Sequence, residues 1–433
     1  MLKHIIEKLS ARIKRTELPL TIAGTCFLIV ATCFILSGER KNGTLGIWFT
    51  DHYAHYMYVV LFFYEGFDIY RKPANQLCER PPEKNEEIVR ISKEKDVQNK
   101  EVCWVKGGRL EKPIFIWWQE FPRVYPPGQL IYFLPEALLY LFTDMPFRWI
   151  NNICFAKLFI TAFLCLVLIF RLTKDWRPRE VAWLVLWACT LPLVHYAMQG
   201  QYESIGVLFI LVSVSSVKKG NMLKALLFYG MSAFLHYRAI WYFPLLVYIC
   251  IKIILSVDFQ HFKDKYLNRH FLIEQKQLYI ISGLLGCSAF LLLVSLWGMV
   301  QMRPWLDKIA PVSNVYWKKL HWNSPVTWGF LGTTGIILAY LVRIRQWLLS
   351  VTTLWITVLL TTSPNEIVTW RLVFLLPLFV WPELTKTNQR RVECTIATLI
   401  WLFCVQQYVY VGSAEFFPHW IPYFIQRVQS SLF

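Results

Sequence analysis

Charge is scarce in this chain. Asp, Glu, Lys and Arg together make up 17% of its 433 residues, against about a quarter in a soluble globular protein. Acidic groups are scarcer still, 28 against 45 basic ones, for a formal net charge of +17. Neither intrinsic disorder nor a cysteine-stapled secreted scaffold fits such a balance. Zinc-finger spacings, RNP-like aromatic runs and a long basic arm are also missing, so the positive charge does not point to nucleic acid. Apolar residues, in contrast, reach 56%, with 20 Trp, 31 Phe and 21 Tyr. One water-soluble core does not absorb that much apolar surface, and the remainder is expected to face lipid.

Apolar runs near the length of a membrane span fall at 19–37, 150–170, 181–197, 203–217, 222–237, 240–257, 278–300, 328–342, 347–363, 371–384 and 394–412. The expectation is an all-α integral membrane protein, a single domain over 1–433 with about 11 transmembrane helices. The first run is taken as a retained span, being longer than the apolar core of a cleaved signal peptide. With the N-terminus inside, cytoplasmic segments hold 22 Lys and Arg and short external segments seven. Long loops do not count in this comparison, which sets 38–149 aside. The asymmetry predicts a cytoplasmic N-terminus and an external C-terminus.

The run 126–143 is excluded from the spans. Counting it would turn the basic clusters Arg171–Arg179 and Lys218–Lys219 outward, and Pro126, Pro127, Gly128, Pro135 and Glu136 suit a lipid-exposed helix poorly. It is expected on or partly in the outer interface, as an amphipathic or re-entrant piece. The large first extracytoplasmic loop, 38–149, carries 15 basic and 15 acidic residues and is neutral. A second interfacial helix is expected over 53–63, and 79–101 reads as a solvated, charged insertion. Of 11 cysteines only Cys78 and Cys103 lie in this loop; a disulfide between them and a pair of free thiols are both open readings. The sequon Asn42-Gly43-Thr44 carries meaning only in a eukaryotic secretory compartment.

Polar groups gather at the external ends of the spans. They are Asp51, His52 and His55; His195, Gln199, Gln201, Tyr202 and Glu203; His236 and Arg238; His321, Asn323 and Ser324; and Glu366, Trp370 and Arg371. Singly, each reads as interfacial capping. Jointly, ionisable groups at membrane depth mark a pathway or a site. A carboxylate, histidines and arginines at an outer lipid surface suit group transfer from a lipid phosphate. Arginine binds phosphate oxygens bidentately and keeps its charge, while an acceptor hydroxyl needs a general base.

An ordered set of motifs then resembles one family. It comprises Asp51 with Glu65-Gly66-Phe67-Asp68-Ile69-Tyr70, Tyr125-Pro126-Pro127-Gly128, Gln199-Gly200-Gln201-Tyr202-Glu203, Leu235-His236-Tyr237-Arg238, His321 with Asn323-x-Pro325, and Ser363-Pro364 with Trp370 and Leu375-Leu376-Pro377-Leu378. The chain resembles the GT-C superfamily of polytopic glycosyltransferases, closest to the polyprenol-phosphate-mannose-dependent mannosyltransferase branch. Arg238 stands where that pattern more often has Lys. The first loop lacks the acidic pair of metal-using branches, so neither a metal nor another cofactor is expected.

The resemblance implies inverting transfer of a sugar, mannose or another hexose, from a polyprenyl-monophosphate donor to a lipid, glycan or protein acceptor on the extracytoplasmic face. Asp51 takes the place of the general base and His321 that of a catalytic histidine. Donor and substrate contacts are expected from Arg238, Arg371, Gln201, His236, Tyr125, Asn323 and Lys157. Helix capping is the competing reading of Asp51, and snorkelling that of Lys157. A monomer in a bacterial inner membrane is expected ahead of an ER protein. A transporter or flippase of lipid-linked sugars and an O-antigen-ligase-like transferase are the rival functions; no internal repeat of the kind transporters carry is evident.

Overall fold

The computed structural model describes residues 50–70, 78–79, 102–105, 109–110, 112, 114–117, 126–145, 147–172, 202–256, 325–362 and short pieces between 374 and 408. The expected spans 19–37, 181–197 and 278–300 lie outside the described residues, as do most of the 79–101 insertion and the sequon at Asn42. Helix α1, Thr50–Val59, runs on as one π-helical stretch, Val60–Tyr64. It covers the interfacial helix expected at 53–63. Gly66 stops it at φ 72°, a conformation that costs a glycine little. The Glu65 carboxylate accepts from the backbone N–H groups of Arg109 (3.1 Å) and Leu110 (2.9 Å), pinning the loop to this helix end. Asp68 Oδ1 accepts from Tyr70 N–H at 3.2 Å. The Glu65–Tyr70 motif is thus a helix stop and turn.

The loop also contains strands, which the all-α expectation did not include. Strands β1 (Cys78–Glu79), β2 (Val102–Val105) and β3 (Ile114–Trp117) form an antiparallel sheet in the order β1-β2-β3. Its register sets Cys78 opposite Val105 and Cys103 opposite Ile116. Cys78 and Cys103 are therefore diagonal neighbours, which in such a ladder stand about 7–8 Å apart; a disulfide usually needs Cα atoms within about 4.4–6.8 Å.

The run 126–143 forms two short helices, α2 (Gly128–Tyr132) and α3 (Leu134–Phe142), broken at Phe133 (φ −97°, ψ 6°) with Pro135 in the first turn of α3. Lys112 Nζ donates to the carbonyls of Tyr140 (3.1 Å) and Thr143 (2.6 Å), satisfying oxygens at the end of α3 that no helical N–H reaches. Helices α4 (Phe147–Leu172), α5 (Glu203–Lys218), α6 (Met222–Leu235), α7 (Phe243–Ser256), α8 (Pro325–Arg343) and α9 (Trp347–Thr362) follow, with a 3₁₀ turn at Tyr237–Tyr242. They stand over the apolar runs expected near those positions. Of 371–384 and 394–412, only 374–378 and scattered helical residues are described. Among the described residues no helix is long and apolar enough to cross a membrane.

Two helical hairpins end in the same way. After α5, Gly220 N–H donates to Val217 O and Asn221 N–H to Ser216 O, a Schellman closure. Gly220 takes φ 76°, and Asn221 Oδ1 then caps α6 by accepting from Lys224 N–H at 3.1 Å. After α8, Arg345 N–H donates to Val342 O and Gln346 N–H to Leu341 O, with Arg345 itself at φ 59°.

Helices α5 and α6 approach closely through small residues. Ser213 Oγ donates to Ala225 O and Ser232 Oγ to Gly206 O, each at 2.8 Å. The main core gathers Leu166, Ile210, Val214, Trp241, Ile249, Leu341, Leu360 and Phe374, and a second cluster joins α1 to Leu130, Phe133 and Leu158. The outward faces are apolar as well: Ile153, Ile160 and Leu164 on α4, Phe243, Val247 and Ile251 on α7, and Trp347, Val351, Leu354 and Val358 on α9 are exposed.

Candidate functional site

Glu203 opens α5, where a carboxylate is favoured by the positive end of the helix dipole. Opposite it, α6 ends at Leu235 and the chain turns extended at His236 (φ −147°, ψ 123°) before the 3₁₀ turn. His236 caps that turn by accepting the Arg238 N–H on Nδ1 at 3.2 Å. A neutral ring accepting on Nδ1 carries its proton on Nε2. That Nε2 lies 3.7 Å from Glu203 Oε1, and Arg238 Nη1 donates to the same oxygen at 3.5 Å. Arg238 Nη2 donates to the Tyr237 hydroxyl at 2.6 Å, and its guanidinium lies 4.7 Å from the Tyr237 ring centre.

The Glu203, His236 and Arg238 side chains are all at most 1% exposed. Opposite charges make the cluster electroneutral, as burial requires. Among the described residues Glu203 Oε2 has no hydrogen-bond partner. Gly206 makes room for the cluster: a Cβ there would meet Phe374 Cζ at 2.8 Å and His236 Cβ at 3.2 Å.

Aromatic contacts carry this cluster toward the first loop. The His236 ring lies 4.8 Å from Phe374 and 5.2 Å from Tyr202, and Tyr202 meets His55 edge-on at 5.3 Å. His55 stacks on Phe133 at 4.8 Å. The Gln129 amide N–H donates to His55 Nδ1 at 2.7 Å, placing that ring's proton on Nε2 as well. Gly128, next to Gln129, lets α2 lie directly against the Phe234 carbonyl and ring, which a Cβ would strike.

Lys157 forms a second centre on the other side of Phe133. Its ammonium donates to Glu136 Oε2 (2.7 Å) and to the Tyr132 carbonyl (2.6 Å), and lies 4.1 and 4.6 Å from the ring centres of Tyr132 and Phe133. Glu136 is buried, and among the described residues its Oε1 has no hydrogen-bond partner. The Tyr132 hydroxyl meets Thr161 Oγ1 at 3.1 Å, and burial holds the phenol's pKa well above its usual value. It stays protonated.

Of the residues singled out from the sequence, His236 and Arg238 are brought together, and Lys157 lies one aromatic layer away. Asp51 stands in the first turn of α1, four residues before His55, and is described there by its backbone alone. Tyr125, Gln201, His321, Asn323 and Arg371 lie outside the described residues. Sequence reasoning noted Glu203, Tyr202 and His55 without placing them among the site residues, and it missed Gln129 and Phe133. Glu136 was noticed only as a misfit in an apolar run. A carboxylate in such a run and an equally misplaced Lys157 on the next helix were the available signal. The chain matches no protein-family model, no curated protein and no solved structure.

Proposed function

We propose that this protein is an integral membrane glycosyltransferase that moves a sugar, mannose or another hexose, from a polyprenyl-monophosphate donor to an acceptor hydroxyl, with inversion, on the extracytoplasmic face. One observation carries the reading: the helix that follows Asp51, the Pro-Pro-Gly helix and the Tyr202–Arg238 stretch meet through His55, Gln129, Tyr202 and His236. Those are the stretches that the resemblance to GT-C enzymes expects to share a site. The exposed apolar side chains along α4, α7 and α9 support a lipid surround, because soluble monomers expose few large apolar patches. The eleven-span architecture, the cytoplasmic N-terminus, the monomeric state and a bacterial inner-membrane location belong to the same proposal.

In this scheme Asp51 removes the proton from the acceptor hydroxyl, and the anomeric C–O(phosphate) bond breaks as the new C–O bond forms. The lipid monophosphate leaves with the bonding electrons. Fixed positive charge and hydrogen-bond donors stabilise the anion that develops. His321, Arg371, Asn323, Gln201 and Tyr125 are assigned to substrate and phosphate contacts. Arg238, buried against Glu203 and Tyr237, supplies its charge from behind the site, with His236 beside it. The test is purified protein with radiolabelled polyprenyl-monophosphate mannose and membrane lipids. Wild type transfers label to an acceptor, and Asp51→Asn lowers the rate by about 10²-fold or more, the scale of a lost general base. A folded Asp51→Asn protein working at the wild-type rate removes the base assignment; sugar movement across the bilayer without a new glycosidic bond favours a flippase.

A further inference from the structure

Among the described residues Lys157 is unusual in its surroundings. Its side chain is 25% exposed while that of its partner Glu136 is 1% exposed. The residues one turn either side on α4, Ile153 and Ile160, are exposed and apolar, and across the seam so are Ile131 and Leu138 of α2 and α3. An ammonium has three N–H donors. Two are used, on Glu136 and the Tyr132 carbonyl, and the aromatic rings cover part of the remainder. The result is a partly exposed positive group among exposed apolar side chains, with a buried carboxylate beside it.

We infer that the α3–α4 seam is the docking site of the donor lipid, with Lys157 meeting the phosphate, the isoprenoid tail lying over Ile131, Leu138, Ile153 and Ile160, and Glu136 acting as the positioning residue that aims the lysine. This rests on the proposed transferase reading, and its occupant is an isoprenoid monophosphate. The charge logic has a definite sign. A phosphate touching the ammonium is attracted at contact distance and repelled by a carboxylate one ammonium further away, so the lysine dominates. Removing the carboxylate's charge therefore tightens lipid-phosphate binding. Removing both charges loosens it without leaving a buried ion unpaired.

The experiment titrates farnesyl monophosphate into the full-length protein in detergent and follows binding by calorimetry, with farnesol, inorganic phosphate and phosphatidic acid as separate ligands. Glu136→Gln is expected to bind farnesyl monophosphate about threefold more tightly, and the double variant Glu136→Gln, Lys157→Gln about tenfold more weakly than wild type, the latter being one charged hydrogen bond's worth. Farnesol and inorganic phosphate each bind far more weakly than the joined molecule. Equal affinity in all three proteins overturns the site, including the case where thermal stability falls but affinity does not move, since a merely structural ion pair would behave so. Phosphatidic acid competing as strongly as farnesyl monophosphate overturns the isoprenoid occupant. Sugar transfer assayed on the same preparations separates the two ideas. Transfer with unchanged lipid affinity in the variants removes the seam and leaves the transferase; lysine-dependent binding without transfer does the reverse.

Discussion

Arg238 and Glu203 show what a single residue decides here. Both are buried, and each compensates the other's charge. Replacing Arg238 with Met leaves the Glu203 carboxylate facing only His236, and such uncompensated burial costs about 3–5 kcal/mol. Thermal unfolding in detergent should show that loss, and the pair Arg238→Met, Glu203→Gln should recover part of it; equal melting temperatures for the single variant and wild type would contradict the cluster as described. Gly206→Ala tests the same place by volume rather than charge. The added methyl meets Phe374 and the His236 Cβ, so overpacking should cost about 1–3 kcal/mol. His236 and Arg238 were legible in the sequence because ionisable groups beside an apolar run stand out. Their dependence on Glu203 was not, since the partners are 35 residues apart and no local spacing encodes a contact between two helices.

At the scale of elements, the chain's punctuation was readable where a specific residue enforces it. Gly220 and Asn221, residue types suited to ending one helix and starting the next, form the closure and cap seen between α5 and α6. The corresponding turn between α8 and α9 has Arg345 at φ 59°, a left-handed conformation that disfavours a side chain. Arg345→Gly should therefore stabilise the protein by about 1 kcal/mol, read as a rise in melting temperature; a fall would mean that the arginine's own contacts outweigh its backbone strain. The run 126–143 was recognisable as something other than a span because three prolines, a glycine and a glutamate interrupt it. Its division at Phe133 falls just before Pro135, which has no N–H to donate back to Ile131, and Phe133 packs there against His55 and Lys157. The sheet of the first loop was invisible for a simpler reason. Strands of two to four residues are too short to display a period.

For the whole molecule, the proposed orientation sets the basic turns after α5 and α8 on the cytoplasmic side, as the positive-inside rule would assign them, and the loop that carries α1 on the other. A labelling experiment reads that arrangement directly. Asp144→Cys, at an exposed position beside α3, should react with a membrane-impermeant maleimide in intact cells, whereas Lys219→Cys and Arg345→Cys should react only after permeabilisation. The opposite pattern would invert the proposed orientation, and with it the face on which chemistry takes place.

Composition and the spacing of apolar runs were enough to argue a lipid surround, to order the helices along the chain and to mark the ends where ionisable groups collect, because hydropathy and steric punctuation act over neighbouring residues. Which of those groups share a centre was settled only by packing. Glu136 found Lys157 across two helices and Glu203 found Arg238 across a hairpin, because a charge taken out of water must be met by its opposite wherever in the sequence that partner lies.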